Sequence, residues 1–168
     1  WLLMIPQTMV SGMSTFTLLS LPLFILSGLI MNAGGISGRL FEFARAIVGW
    51  MRGGLAQIDV LTSIFFGGMI GSSTADLAGS ASILIPAMKS KGYPSPVAAA
   101  VMSSAATLAV IIPPSIPMIL YAVMAETSVV QMFVAGIVPG LLGGFGLMGM
   151  AYWFARRYNL PIEERFQW

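Results

Sequence analysis

Residues 53–88 read GGLAQIDVLTSIFFGGMIGSSTADLAGSASILIPAM and lie between Arg52 and Lys89, with Asp59 and Asp76 as the only formal charges inside them. A helix that crosses the hydrocarbon core needs about 20 apolar residues, so this stretch is short for two full crossings. A single crossing would put Arg52 and Lys89 on opposite faces of a bilayer, whereas basic flanks favour the cytoplasmic one. A re-entrant helical hairpin meets both constraints, with its tip at the polar run Gly71-Ser72-Ser73-Thr74-Ala75-Asp76. At 1.5 Å per residue, a leg over 53–70 would be roughly 27 Å long and a leg over 77–88 roughly 18 Å. Against a hydrocarbon core of about 30 Å, the shorter leg predicts a tip that stops partway across. Irregular backbone at that depth is stable only where protein covers it or where it lines a wet cavity. The tip is therefore a candidate transport site.

Composition points the same way. The chain is 57% hydrophobic and 8% charged, with a mean hydropathy of +0.90, whereas soluble domains carry about 25% charged residues. The expected fold class is an all-α membrane protein. A net charge of +2 gives no basic surface for a nucleic-acid partner. The absence of cysteine and histidine removes disulfides, thiolate chemistry, imidazole acid–base catalysis and soft-metal sites. A bound cation would be hard and oxygen-ligated. The chain reads as an internal segment of a longer protein, since it starts at Trp1 inside an apolar run, and its charge-free opening lacks the basic region of a signal peptide.

Residues 1–33 read as membrane segments, with an interruption at Pro6 and a crossing helix over 15–31 stopped by Asn32-Ala33-Gly34-Gly35. Over 34–52 the pattern becomes amphipathic. Arg39, Glu42, Arg45, Gly49 and Arg52 share an arc of roughly 140°, and Leu40, Phe43, Ile47, Trp50 and Met51 fall elsewhere. This predicts an arm helix lying in the bilayer interface. The hairpin occupies 53–92. Residues 93–126 form a long apolar stretch that Pro113, Pro114 and Pro117 must break near 111–117, because each proline removes a donor and clashes with the preceding turn. The part over 97–111 would cover roughly 22 Å, which puts the break deep in the membrane. A further crossing helix fills 127–158, and 159–168 is a polar loop.

Charge placement supports this topology. With the arm helix, the hairpin base and the end of the last span on one face, Arg39, Arg45, Arg52, Lys89, Lys91, Arg156 and Arg157 all fall on the cytoplasmic side, and Glu126 marks the outer one. Reading 53–88 as one crossing splits that set.

Two constellations could carry chemistry. At the tip, Gly71 permits a tight reversal, while Ser72, Ser73, Thr74 and Asp76 supply hydroxyl and carboxylate oxygens. At the second break, Thr107 and Ser115 flank carbonyls left unpaired from Ala109 to Ile112 by Pro113 and Pro114. Carbonyls and hydroxyls suit Na⁺, and helix N-termini suit an anionic group. The expectation is that the two segments face each other and share an ion. Gly71, Ser72, Ser73, Thr74, Asp76, Thr107, Ile112, Pro114 and Ser115 are the candidate ion or substrate contacts, with Ser72, Ser73, Thr107 and Ser115 as the Na⁺ candidates. The competing reading of the hydroxyl cluster is close helix packing. It leaves Asp76 unexplained, because a carboxylate at mid-membrane costs about 2.5–3.5 kcal/mol. Asp59 reads as an interfacial residue at the hairpin base, and Gly136, Gly140 and Gly144 read as a packing stripe.

The ordered series Gly34-Gly35-Ile36-Ser37-Gly38-Arg39-Leu40, Gly53-Gly54-Leu55-Ala56, Gly71 to Asp76, Ile85-Pro86-Ala87-Met88-Lys89, Ile112-Pro113-Pro114-Ser115-Ile116 and Ala135-Gly136-Ile137-Val138-Pro139-Gly140 resembles the large membrane subunit of tripartite ATP-independent periplasmic (TRAP) transporters. The resemblance runs along essentially the whole chain and departs at Ala109 and Val110, where the family often has glycine and then proline. It implies the first of two inverted repeats of an elevator-type importer in the bacterial inner membrane, with Na⁺ as coupling ion and no other cofactor. It also implies an organic anion substrate of the carboxylate or sialic acid class, a periplasmic substrate-binding protein and a small membrane subunit as partners. On that basis 71–76 is the first hairpin tip and 107–115 the unwound part of the next helix.

Other readings are a sodium/dicarboxylate symporter without a binding protein, and an ion channel whose re-entrant loop is a filter. An intramembrane enzyme with a Ser72 or Ser73 nucleophile would have only Asp76 or a lysine as base.

Overall fold

The computed structural model describes residues 4–13, 16–158 and 160. The expected polar loop at 159–168 therefore lies outside the described residues, apart from Leu160. The first helix, α1 (Met4–Met13), holds Pro6 in its first described turn, so Pro6 does not interrupt it. Next, α2 (Phe16–Ala33) leads through Gly34-Gly35 into α3 (Ile36–Val48), with a 70° bend between 20–31 and 36–48. Gly35 makes the corner at φ 75, a conformation open to glycine without steric cost.

Three faces, rather than two, run along α3. Ser37, Phe41, Ala44 and Val48 are buried, at the spacing that lines one side of a helix. Phe43, Ile47 and Trp50 form a separate exposed apolar side, and Arg39, Glu42 and Arg45 the charged one. The helix ends earlier than expected, where the Gly49 N–H bonds the Arg45 carbonyl at 2.9 Å. Residues 49–53 form the turn into the next element, and Gly53 reverses the chain at φ 71, with Ala155 2.6 Å from where its Cβ would lie.

The hairpin is present as α4 (Gly54–Ile70) and α5 (Ser73–Ser90), joined by Gly71 and Ser72. Its legs are nearly equal, roughly 26 and 27 Å, because α5 begins immediately after the tip and takes Asp76 into its first turn. The expected short second leg is thus corrected, and leg length does not keep the tip shallow. α4 is the centre of the fold and packs against α3, α5, the helices of 95–111 and the last span. Residues 54–60 are buried on every side, Gln57 and Asp59 among them. Phe66 meets Phe41 of α3 edge to face at 6.0 Å.

The broken helix comprises α6 (Ser95–Ala106), α7 (Leu108–Ile111) and α8 (Ile116–Met124), bent by 41° across the break. The predicted interruption at 111–117 tightens to 112–115. A second irregularity at Thr107 separates α6 from α7, so 108–111, which the resemblance implies is part of an unwound 107–115, is instead a helical turn between two breaks. The last helix, α9 (Val129–Arg157), is long and apolar enough to cross a membrane alone, and the two bent pairs raise the number of such spans to at most three. The chain is an all-α membrane protein. Gly136, Gly140 and Gly144 are buried positions of α9, as are Ala151 and Ala155. At the glycines the helix presses on Ile111, Ile112 and Ile64, the close approach that small residues allow where no hydrophobic effect drives helices together.

Candidate site at the junction of hairpin tip and broken helix

The tip and the break meet. Gly71 caps α4 at φ 60, and a Cβ there would lie 2.7 Å from the Pro114 carbonyl oxygen and 3.2 Å from the Ser115 Cα. The Ile116 N–H bonds the Gly71 carbonyl at 3.5 Å. One turn back, a Cβ on Gly67 would meet the Ala109 Cα at 3.0 Å and the Ile112 Cβ at 3.3 Å. These approaches bring the C-terminal ends of α4 and α7 together with the N-terminal ends of α5 and α8. Each helix end carries about half a unit charge, negative at the C-terminus and positive at the N-terminus.

Serines stand at the N-cap of both α5 and α8, where the side chain ordinarily accepts a bond from the first helical amides. Neither does so. Ser72 shares a 3.1 Å bond with Thr74, and Ser115 donates at 2.6 Å to the Val110 carbonyl. Pro114 has no N–H to give that carbonyl, so Ser115, fully buried, repairs the helix bond that Pro114 removes. No side chain caps either helix start, but at α8 the Ile116 N–H is taken by the Gly71 carbonyl and Pro117 has none to offer.

Of the remaining predicted residues, Ser73 is half-buried and Thr74 exposed. Pro114, in a cis peptide with Pro113, turns its carbonyl to the tip. Ile112 ends α7 in an extended conformation and wedges between Gly67 and Gly140. Thr107 is exposed and donates at 2.6 Å to the Ser104 carbonyl, so its hydroxyl stays with its own helix rather than turning to the tip. Beside the junction a cavity of about 160 Å³ opens between α2, the tip and α8, lined by Gly28, Leu29, Ile70, Ser72 and Ile116.

Asp76 is buried, with no hydrogen-bond partner for either carboxylate oxygen among the described residues. Ser63 of α4 approaches it, and Ser80 donates to its backbone carbonyl at 2.9 Å. Asp59 is not interfacial, contrary to expectation. It is buried in α4, lies within electrostatic range of Asp76 and is likewise without a partner among the described residues. With Thr62 and Ser63 it forms a polar core inside the hairpin that sequence reasoning missed. The available signal was the polar set at 57, 59, 62 and 63 within an otherwise apolar run.

Paired interrupted helices meeting at one point inside an all-helical membrane protein define the class of transport permeases built on broken helices. The comparisons give the particular family. The tripartite ATP-independent periplasmic transporter, DctM component, family matches residues 1–168, and the chain belongs to it. It is 47% identical over 150 residues to a C4-dicarboxylate TRAP transporter large permease protein of Pseudomonas aeruginosa, covering 89% of this chain and 35% of that protein. It is 42% identical over 159 residues to the 2,3-diketo-L-gulonate TRAP transporter large permease protein of Escherichia coli, covering 95% and 37%. It is 36% identical over 162 residues to a sialic acid TRAP transporter large permease protein of Vibrio cholerae, covering 95% and 38%. The chain thus spans about a third of the length of these relatives.

Proposed function

We propose that this chain supplies half of an ion-coupled site for importing an organic anion across the bacterial inner membrane, in a multi-pass permease. One observation carries the reading: the Pro114 carbonyl and Ser115 backbone seat directly on Gly71, so two helix breaks form one junction. The donor set there is hard oxygen, from the carbonyls of the breaks and the hydroxyls of Ser72, Ser73 and Thr74, and it suits Na⁺ rather than a soft metal. The uncapped start of α5 suits an anionic group. The cation fixes tip and break in register, and the anion then meets the N-terminus of α5. Thr107 contributes only if it releases Ser104.

The substrate class is supported by the names of the relatives, which specify a C4-dicarboxylate, a diketo-gulonate and sialic acid. All are organic anions. A periplasmic binding protein that delivers the anion, a small membrane subunit and elevator-like movement of the hairpin with α6–α8 belong to the same reading. The test is uptake of labelled organic acids by the complete transporter in proteoliposomes with an imposed Na⁺ gradient. Uptake that needs Na⁺ and falls at least about tenfold in Ser72→Ala/Ser73→Ala supports the reading. Uptake indifferent to Na⁺, or unchanged in that variant, overturns it.

A further inference from the structure

The cavity beside the junction divides into two kinds of surface. It measures about 160 Å³, and its walls are Ile25 and Leu29 of α2, Ile70 of α4 and Ile116 of α8. Ser72 and Ala75 border it at the start of α5. Among the described lining residues only Ser72 has a polar side chain, and its hydroxyl is already engaged with Thr74 at 3.1 Å. The Asp76 N–H makes the first helical bond of α5, to the Ser72 carbonyl at 3.0 Å, so the amides of 73–75 are those a helix start leaves open. Asp76 itself is buried towards Ser63 of α4, whereas Ala75 lies at the cavity. Backbone donors thus stand at the α5 side of the cavity, and hydrocarbon lines the rest.

From this division we propose that the anion is a short aliphatic monocarboxylate, with its carboxylate at the α5 start and its tail in the cavity, where Gly28 and Leu29 of α2 set the tail length. This narrows the substrate of the anion site proposed above and rests on that site. Size sets one limit: an apolar cavity of about 150 Å³ takes a benzene molecule, so the tail has roughly five or six carbon atoms. Solvation sets the other. A methylene chain gains by leaving water for these walls, whereas a hydroxyl carried in with it finds no free side chain to bond and loses its water. The cavity therefore separates an alkyl acid from a polyhydroxylated acid of the same length and charge.

Thermal unfolding of the complete permease in detergent, with saturating Na⁺ and without a binding protein, tests this, because a ligand of the folded state raises Tm by mass action. Hexanoate and gluconate match in carbon count and charge and differ only in hydroxyls. Hexanoate is expected to bind at least about tenfold more tightly, and hexanamide, which lacks the charge, to leave Tm unmoved. Leu29→Ala enlarges the cavity and should shift the preference from hexanoate towards octanoate about tenfold. Gly28→Ala, whose added Cβ would lie 3.6 Å from Ile70, narrows it and should weaken hexanoate more than butanoate; it serves if Leu29→Ala does not fold. Gluconate binding as tightly as hexanoate, or a chain-length preference unmoved in both variants, would overturn the tail pocket and leave the anion site standing. Hexanamide binding as tightly as hexanoate, or a Tm that no carboxylate shifts, would overturn both.

Discussion

The Pro114 carbonyl oxygen lies 2.7 Å from the point where a side chain on Gly71 would begin, and Gly71 holds φ 60 to accept it. The contact joins two elements more than forty positions apart in sequence. It also makes Gly71 a point at which the hairpin tip and the broken helix touch backbone to backbone.

Gly71→Ala is therefore expected to fail twice over. The left-handed conformation costs a residue with a Cβ about 1–2 kcal/mol, and the methyl cannot occupy space held by backbone atoms. We expect a lower Tm for the complete permease and loss of uptake. Gly79→Ala, at a helical glycine with open space around it, is the control and should leave both unchanged. An active, stable Gly71→Ala protein would show that the junction is looser than the geometry here.

Ser115→Ala removes the donor that serves the Val110 carbonyl at 2.6 Å. A buried acceptor left without a partner costs about 1–3 kcal/mol. Because Ser115 also shapes the start of α8, the Na⁺ concentration for half-maximal uptake should rise about tenfold, equivalent to 1.4 kcal/mol. Ser82→Ala, which removes an exposed hydroxyl bonded to its own helix, should move neither Tm nor Na⁺ dependence.

Gly140 admits Ile112, whose Cγ1 lies 2.7 Å from a Cβ built there, whereas nothing approaches Gly146 within 4 Å. Gly140→Ala should push the unwound segment away from α9 and cost about 1–3 kcal/mol through overpacking. Gly146→Ala should be neutral or slightly stabilising, since alanine favours the helix by up to about 1 kcal/mol. Parallel thermal unfolding of the two variants decides the matter. Equal effects would mean that the glycine stripe does not position the break.

How much of this was legible in the sequence depends on which force set each feature. The hairpin tip and the break at Pro113-Pro114 were readable because glycine and proline act locally, and a run of fixed length between two basic residues, with only Asp59 and Asp76 charged inside it, bounds the topology. The facing of Gly71 and Pro114 was expected from matched depth, although the argument that placed the tip used a second leg too short by the whole first turn of α5. Hydroxyl and carboxylate residues can open a helix as easily as end a loop, and the Ser73–Asp76 segment did the former. Asp59 was misplaced because its position near a hairpin base looks interfacial in one dimension. Only the packing of α4 on every side reveals it as buried. Ser115 was named as an ion contact, but its bond to Val110 could not be foreseen without knowing where α7 ends.

The two buried carboxylates should separate under substitution. Asp59 and Asp76 both lack partners among the described residues and sit within electrostatic range of each other, so each makes burial of the other more costly. Asp59→Asn keeps the shape and removes one buried acid, and it should raise Tm by the equivalent of about 1–3 kcal/mol with uptake retained. Asp76→Asn removes the same kind of cost, but it lies in the first turn of α5, whose positive end faces the junction. It should also be stabilising yet reduce Na⁺-dependent uptake. Measuring Tm and uptake on both variants distinguishes a structural acid from one that serves the ion. If Asp59→Asn abolishes uptake while Asp76→Asn spares it, the functional carboxylate lies one hairpin leg away from where the junction places it.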